Sequence, residues 1–229
     1  MVKLIFFCRR RSDITHERYA ELLLGSHVPL ALKHHPTLRR YVVNIVEHSP
    51  PGETPLDSVG ELTFDSLEDF RQRLYDSPEG RRVIAHDVKQ FMGGASAYVT
   101  SEHIQKGGDR PEPVGTCSPG VKMVCPLRRR AGMSHAAFVD HWLGVHVPLA
   151  LRHHPGMSKY VTNVVEARLD PNTDEIDGVA ELHFPSRQTM TNGLFDSPAG
   201  EEVVRADIER FIGHTFAYVV AEFVQRSRA

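Results

Sequence analysis

One segment of twelve residues occurs twice in this chain. Residues 25–36 (GSHVPLALKHHP) return as residues 144–155 (GVHVPLALRHHP), with ten of the twelve positions identical. At an offset of 119 or 120, further identities follow along both halves; they include Tyr41 and Tyr160, Asn44 and Asn163, Glu61 and Glu181, Asp87 and Asp207, and Glu102 and Glu222. This period is far longer than that of a solenoid repeat. Each half is therefore predicted to be a domain-sized unit.

The stretch between the two repeats divides the chain. Residues 105–120 are rich in glycine and proline, which is typical of a linker. We expect an N-terminal domain over residues 1–106, a linker over residues 107–120 and a C-terminal domain over residues 121–229. Two domains of this size can each bury a core, since 41% of the 229 residues are hydrophobic.

The hydrophobic pattern predicts the same elements in each half. Helical spacing follows two candidate caps, Asp13 and Ser134, and a later helix starts afresh at Pro78 or Pro198. Apolar, β-prone runs predict strands over residues 2–8, 41–46, 58–64 and 95–104, and over residues 121–127, 160–165, 178–184 and 215–224. The order β-α-β-β-α-β is that of a ferredoxin-like unit, which leaves one sheet face uncovered. We therefore predict an α+β fold in which two such sheets stack as a pseudo-dimeric α+β barrel.

Charge and cysteine content exclude several classes of protein. The net charge is −2, with 14 basic and 14 acidic side chains in residues 1–106 and 13 and 15 in the rest. The two short basic runs, residues 9–11 and 128–130, are expected to be solvated strand ends, so no nucleic-acid partner is expected. Three cysteines fit neither a disulfide framework nor a metal site. No apolar run reaches transmembrane length, and we expect a cytoplasmic protein without a membrane partner.

The second half carries a longer motif that resembles the EthD family of dimeric α+β barrel proteins. Its matching positions are Phe138, His141, Trp142, His146, Pro148, Leu149, Tyr160, Val161, Asn163, residues 177–184 and 196–198, Asp207, Phe211 and Glu222. The first half departs from the motif, because Leu22 and Leu23 stand where the second has His141 and Trp142. The resemblance implies the barrel fold but no single reaction. Related barrels include cofactor-free monooxygenases, lactone isomerases, polyketide cyclases, dehydratases and haem proteins.

The histidines of the second half concentrate in its first helix. Trp142, His146 and His153 would share one face of an unbroken helix. Pro148 does not suit a helix interior, so a kink is predicted between Gly144 and Pro148. Such a kink can leave an imidazole pointing into the space between helix and sheet.

We predict that His146 is an acid/base catalyst, because histidine titrates near neutral pH. The other predicted catalytic residues are His141, Tyr160 as a donor to a substrate oxygen, and His27 if the first half is active. The predicted substrate-binding residues are Trp142, His153, Tyr41 and Glu222. A structural interpretation stays open for the whole set. His146 can hold the kink and Trp142 can be core. His153 and His154 can cap a helix, and Asp87 and Asp207 can cap or pair structurally.

The predicted function is a cofactor-independent acid/base enzyme of the dehydratase, cyclase, isomerase or lyase type. Its substrate, as the resemblance implies, is a small apolar molecule of aromatic or polyketide-like character. No dinucleotide fingerprint, phosphate loop, nucleophile elbow or metal-ligand spacing is present in the sequence. Two alternatives stay open: a non-catalytic small-molecule-binding or accessory protein, and a cofactor-free or haem-dependent oxygenase. The two-domain chain could also pair into a homodimer.

Overall fold

The computed structural model describes residues 1–53, 55–108 and 112–227. The first half contains β1 (Val2–Arg10), α1 (His16–Leu22), α2 (Val28–His34), β2 (Arg40–His48), β3 (Ser58–Phe64), α3 (Leu67–Arg73), α4 (Pro78–Phe91) and β4 (Met92–Lys106). The second contains β5 (Val121–Arg129), α5 (His135–His141), α6 (Val147–His153), β6 (Lys159–Arg168), β7 (Gly178–Phe184), α7 (Arg187–Asn192), α8 (Pro198–Phe211) and a closing strand in two pieces, β8 (Ile212–Thr215) and β9 (Tyr218–Arg226). The predicted linker, residues 107–120, and the predicted second domain, residues 121–229, each include residues outside the described ones.

The strands of the two halves join into one closed barrel. Within the halves, β1 pairs with β3 and β4, and β5 pairs with β7, β8 and β9. Between the halves, β4 pairs with β6 and β2 pairs with β9, all antiparallel. The predicted α+β fold of two ferredoxin-like units in a pseudo-dimeric barrel is confirmed. The sheets are joined at their edges by hydrogen bonds, which adds a connection that stacking alone did not predict.

Successive side chains along a strand point to opposite faces of the sheet. Each half therefore has its own core under the helices, and the two halves share a second core inside the barrel. Side chains that point outward pack under the helices, around Tyr19 and Phe91 in the first half and around Phe138 and Phe211 in the second. Side chains that point inward fill the barrel; they include Ile5, Phe7, Val59, Tyr98, Val124, Val179 and Tyr218. The barrel interior is therefore built from both halves at once.

One layer of the barrel interior is charged. Lys3 and Lys122 are both 2% exposed, and each ammonium contacts carboxylates from both halves. The contacts run from Lys3 to Glu61 (2.8 Å), Glu102 (3.0 Å) and Glu181 (2.6 Å), and from Lys122 to Glu61 (2.5 Å), Glu181 (2.7 Å) and Glu222 (3.0 Å). We call these six residues the lysine–glutamate layer. Burial opposes the charged form of Lys122, but the surrounding carboxylates raise its pKa.

The predicted cap of α1 is wrong, whereas that of α5 is confirmed. Thr15, not Asp13, accepts a hydrogen bond from a backbone N–H of the first turn of α1, at Arg18 (3.2 Å). Thr15 directly precedes the helix, whereas Asp13 lies too early in the chain and pairs with Arg11 instead. Ser134 accepts from the N–H of Ala137, as predicted. None of the helices in the described part of the chain combines the length and apolar character needed to cross a bilayer.

Candidate functional site

A π-helical turn places the candidate histidines. Residues Trp142–His146 form this turn between α5 and α6, and Pro148 lies in the first turn of α6. Proline is tolerated there, because the first N–H groups of a helix have no partner within it. A π-turn, a feature frequent at functional sites, thus overlaps the region between Gly144 and Pro148 where the kink is predicted.

His146 forms a dyad with Asp207 of α8. The Nδ1 atom of His146 lies 3.0 Å from Oδ2 of Asp207, and Nε2 of His141 lies 2.9 Å from Oδ1 of the same carboxylate. Since an ionised carboxylate only accepts, both histidines donate to it. Phe211 lies beneath the pair, with its ring 4.8 Å from that of His141 and 5.1 Å from that of His146. The Nε2 atom of His146 is left to accept a proton, and no hydrogen-bond partner for it occurs among the residues that the structure describes.

His146 lines a cavity of about 230 Å³ between the helices and the sheet. The lining is mostly apolar, and the other residues with polar side-chain groups are Trp142, His154, Tyr160 and Thr215. The apolar part includes Cys125, Leu127, Ala150, Ala180, Leu182, Ile208, Ile212 and Phe216. The indole N–H of Trp142 donates to the hydroxyl of Tyr160 (3.3 Å). This leaves the hydroxyl proton of Tyr160 for a ligand. A few polar groups on an apolar lining are typical of a small-molecule site.

Burial sets the protonation states in this cavity. It lowers the pKa of His146, and the hydrogen bond to Asp207 opposes the shift without cancelling it. His146 is therefore neutral at pH 7 and can act as a base. Burial also raises the pKa of Tyr160, so that its hydroxyl stays protonated and can donate.

A proline interrupts the sheet beside the cavity. The carbonyl of Leu127 accepts from Asp177 (2.7 Å), so its groups face β7. By alternation the backbone of the preceding residue, Pro126, faces the closing strand, where it has no N–H to offer. The ladder breaks there, and Phe216 and Ala217 separate β8 from β9. In the first half, where Phe7 takes the equivalent position, β4 is continuous.

Replacing Pro126 by valine is expected to join β8 and β9. The restored N–H can donate to Phe216, while the stability changes little. The reason is that a ladder bond contributes about 0.5–1.5 kcal/mol and the loss of proline costs about 0.4–1 kcal/mol. Hydrogen exchange would report the change as slower exchange over residues 212–218. Unchanged exchange there would contradict this account, and Leu127→Val, which leaves the N–H pattern intact, serves as the control.

The first half keeps the dyad but changes its surroundings. His27 Nδ1 lies 2.9 Å from Asp87, and the second partner of this carboxylate is Ser26 (2.6 Å) in place of a histidine. Leu23 lies where the second half has Trp142. His141 and Trp142 are therefore additions of the second half, and that this half carries the fuller site stays a prediction.

Trp142 fits only because β7 begins with glycine. A Cβ atom on Gly178 would lie 2.3 Å from the indole ring. In the first half the equivalent position is Ser58, whose hydroxyl lies 2.7 Å from that of Tyr19, and the smaller Leu23 stands in place of Trp142. The second half thus combines a large indole with glycine, and the first half combines a smaller leucine with serine at the same two positions.

Gly178→Ser is expected to destabilise the protein by about 1–3 kcal/mol, because the new side chain overlaps the Trp142 ring. Trp142→Leu alone is also expected to destabilise, through the cavity that it leaves. In the double variant the smaller leucine removes the overlap with the new serine, although Phe138 stands where the first half has Tyr19 and offers no hydroxyl to it. The double variant should therefore be more stable than the sum of the single effects predicts, by at least about 0.5 kcal/mol. Urea unfolding of the parent, the two single variants and the double variant measures this coupling. If the two changes in the free energy of unfolding simply add, the proposed overlap of the two side chains is contradicted.

The remaining predicted site residues lie elsewhere. His153 pairs with Asp196 (3.0 Å), and Glu222 belongs to the lysine–glutamate layer on the opposite face of the sheet. Tyr41 packs in the helix-side core of the first half. The structure thus brings together His146, His141, Trp142 and Tyr160.

Two residues of the site were not assigned to it from the sequence. Asp207 was expected to cap or pair structurally, and His154 to cap a helix. Repetition was the available signal, since Asp87 and His35 occupy the same positions in the first half. No group of three or more metal-ligating side chains occurs among residues 1–53, 55–108 and 112–227.

The fold and site define an α+β barrel protein with a buried histidine–aspartate pair beside an apolar cavity. The model of the EthD domain matches residues 11–95 and 130–215, so the chain belongs to the EthD family and carries its domain twice. No curated protein matches the sequence significantly.

Several solved structures share the fold. An anthrone oxidase-like protein aligns with a TM-score of 0.65 at 11% identity, over 98% of this chain and 92% of its own. A candidate monooxygenase from Lactobacillus acidophilus NCFM gives a TM-score of 0.53 at 11% identity, over 98% and 96%. A chlorite dismutase variant from Candidatus Nitrospira defluvii gives 0.52 at 11% identity, over 96% and 90%. Likeness at this identity shows a common fold.

Proposed function

We propose that the chain is a cofactor-independent enzyme in which His146 transfers protons on a small apolar molecule of aromatic or polyketide-like character. The observation that carries the proposal is the His146–Asp207 dyad, whose Nε2 atom is left for a ligand of the apolar cavity. Dehydration, cyclisation, isomerisation and lyase cleavage can each begin with removal of a proton from carbon, which requires such a base.

The residues of the cavity have different roles in this proton transfer. Nε2 of His146 takes a proton from a carbon beside a carbonyl group, and the electron pair of the broken C–H bond moves onto the carbonyl oxygen. The hydroxyl of Tyr160 donates to that oxygen and stabilises the charge as it develops. Asp207 holds the tautomer of His146 and stabilises its protonated form, while His141 anchors the other carboxylate oxygen. Trp142 orients the Tyr160 hydroxyl and gives a flat wall for a ring.

The size of the cavity limits the ligand. Its volume of about 230 Å³ lies below the roughly 300–1,000 Å³ of pockets for drug-sized ligands. A compact one- or two-ring molecule suits this volume. A haem group does not fit beside His146, so the haem-dependent alternative is disfavoured.

A cofactor-free oxygenase is the second candidate, favoured by fold relatives named as an anthrone oxidase-like protein and a candidate monooxygenase. One experiment separates the candidates: incubation of small aromatic and polyketide-like ketones with the protein in D₂O, followed by NMR. Exchange of protons beside the carbonyl, lost in His146→Asn, supports the proposal. Additional oxygen uptake indicates an oxygenase, binding without exchange indicates an accessory protein, and neither binding nor exchange contradicts the proposal.

The predicted domain boundaries, the cytoplasmic location and the homodimer belong to this proposal as well. Light scattering of the purified chain tests the homodimer, because two chains of 25.7 kDa would double the mass of one.

A further inference from the structure

The two arginine runs end at one mouth of the barrel, and most of their members have partners. In each run the second arginine pairs with an aspartate and the third bonds at the surface; the contacts are Arg10 with Asp57, Arg129 with Asp177, Arg11 with Asp13, and Arg130 with the carbonyl of Glu209. The first members, Arg9 and Arg128, differ. Their guanidinium groups make no hydrogen bond or ion pair with any residue in the described part of the chain.

Arg9 and Arg128 line a cavity of about 470 Å³ between the halves. Because they occupy equivalent positions in the two repeats, they approach this space from opposite sides of the barrel. About half of the other lining residues are aromatic or apolar; these are Phe7, Leu56, Tyr98, Pro126, Ile176, Phe216 and Tyr218. We call this cavity the barrel mouth. It lies on the face of the sheet opposite the His146 cavity.

Three acidic residues line the barrel mouth, and the carboxylates of two of them contact other side chains. Glu53 lies 3.1 Å from His214, and Glu175 lies 3.3 Å from Arg168. Asp174 accepts the hydroxyl of Tyr98 through its backbone carbonyl (2.9 Å). None of the three forms an ion pair with Arg9 or Arg128. Burial raises the pKa of Tyr98 and Tyr218 to about 12, so neither tyrosine adds negative charge near neutral pH.

We propose that the barrel mouth is a second ligand site, which binds a planar aromatic carboxylate through Arg9 and Arg128. The planar guanidinium fork matches a carboxylate, and aromatic side chains suit a ring. The volume lies within the range of ordinary ligand pockets, roughly 300–1,000 Å³. Each half supplies one arginine and one tyrosine, so a single half cannot form the site. This site is independent of the reaction proposed for His146.

Calorimetric titration of the full chain with 2-naphthoate tests the proposal, with neutral 2-naphthamide as the matched probe. We expect naphthoate to bind and naphthamide to bind at least about tenfold more weakly, because the charge-assisted hydrogen bonds are lost. Arg9→Gln and Arg128→Gln should each weaken naphthoate binding roughly tenfold. Arg11→Gln and Arg130→Gln, from the same two runs, should leave it unchanged.

Ala180→Leu separates the barrel mouth from the His146 cavity, which Ala180 lines. If naphthoate occupies the barrel mouth, this variant binds it as the parent does. Loss of binding in Ala180→Leu with normal binding in the Arg9 and Arg128 variants would overturn the proposal and place the ligand beside His146. Equal affinity for naphthoate and naphthamide, or no binding of naphthoate, would also overturn it. None of these binding results tests proton exchange at His146.

Discussion

Replacement of Lys122 by methionine is expected to lower the free energy of unfolding by about 3–5 kcal/mol, because loss of one partner leaves buried charges uncompensated. The Lys122 ammonium lies 2.7 Å from Glu181 and 3.0 Å from Glu222, out of contact with water. Methionine keeps much of the side-chain volume, so lost packing contributes little. The midpoint of thermal unfolding should fall by roughly 6–20 °C for a chain of this size.

Lys33→Met is the matched control. Lys33 is exposed on α2, and its replacement is expected to change the stability by less than about 0.5 kcal/mol. Lys3→Met, at the position equivalent to Lys122, should be as harmful as Lys122→Met. If Lys122→Met unfolds at the same temperature as the parent, the lysine–glutamate layer does not hold the barrel together.

The effect of Lys122→Met should also depend on pH. Burial and Glu61 raise the pKa of Glu181, but the two lysines outweigh them and lower it to about 2. In the parent, the stability from this carboxylate is present above its ordinary pKa of 4.5 and is lost as the pH falls through about 2. Without Lys122 the carboxylates of the layer take up protons more readily. The destabilisation should therefore be smaller at pH 5 than at pH 8, which a packing defect would not show.

His146→Asn is expected to slow proton exchange of a substrate by about 10²–10⁴-fold, the usual contribution of a positioned acid or base. Asparagine can still donate to Asp207 but cannot accept a proton. The midpoint of thermal unfolding should therefore change little. A fall of many degrees with unchanged exchange would mean that His146 only holds the π-turn, which is the structural alternative.

Two further variants assign the activity. His86→Asn, at an exposed position of α4, is the matched control and should exchange protons as the parent does. His27→Asn measures the share of the first half, where Asp87 holds an equivalent imidazole. Exchange that survives His146→Asn and disappears only when His27 is also replaced would place activity in both halves.

The dependence of the exchange rate on pH tests the role of the His146–Asp207 dyad. Since burial lowers the pKa of His146 despite Asp207, the rate should be level near neutral pH and should fall below pH 6.5 as His146 takes up a proton. Asp207→Asn removes the influence that raises this pKa, so its acid limb should lie at lower pH than that of the parent. A shift to higher pH would contradict the role given to Asp207.

Local features of the site were predictable, because they depend on residues close together in the chain. Pro148 indicated an irregular helix at the place where the π-turn lies. Comparison of the two repeats showed that His141 and Trp142 replace the leucines of the first half. The pairing of His146 with Asp207 was not predictable, because 61 residues separate them and only the packing of α8 brings them together. The break in the strand pairing at Pro126 could not be predicted without the strand register. The register determines which neighbouring strand lies opposite the nitrogen of Pro126.

The sequence by itself determined two equivalent α+β units, their element order and the inequality of their histidine-rich helices, because periodicity, caps and prolines act over a few residues. Only the tertiary structure decided which distant residues lie next to one another. Closure of the barrel brought Lys3 next to Glu181 of the other half, and it placed Arg9 and Arg128 around one cavity. The physical reason is that strand alternation encodes on which side a residue lies, whereas strand order and register determine which distant residue it meets there.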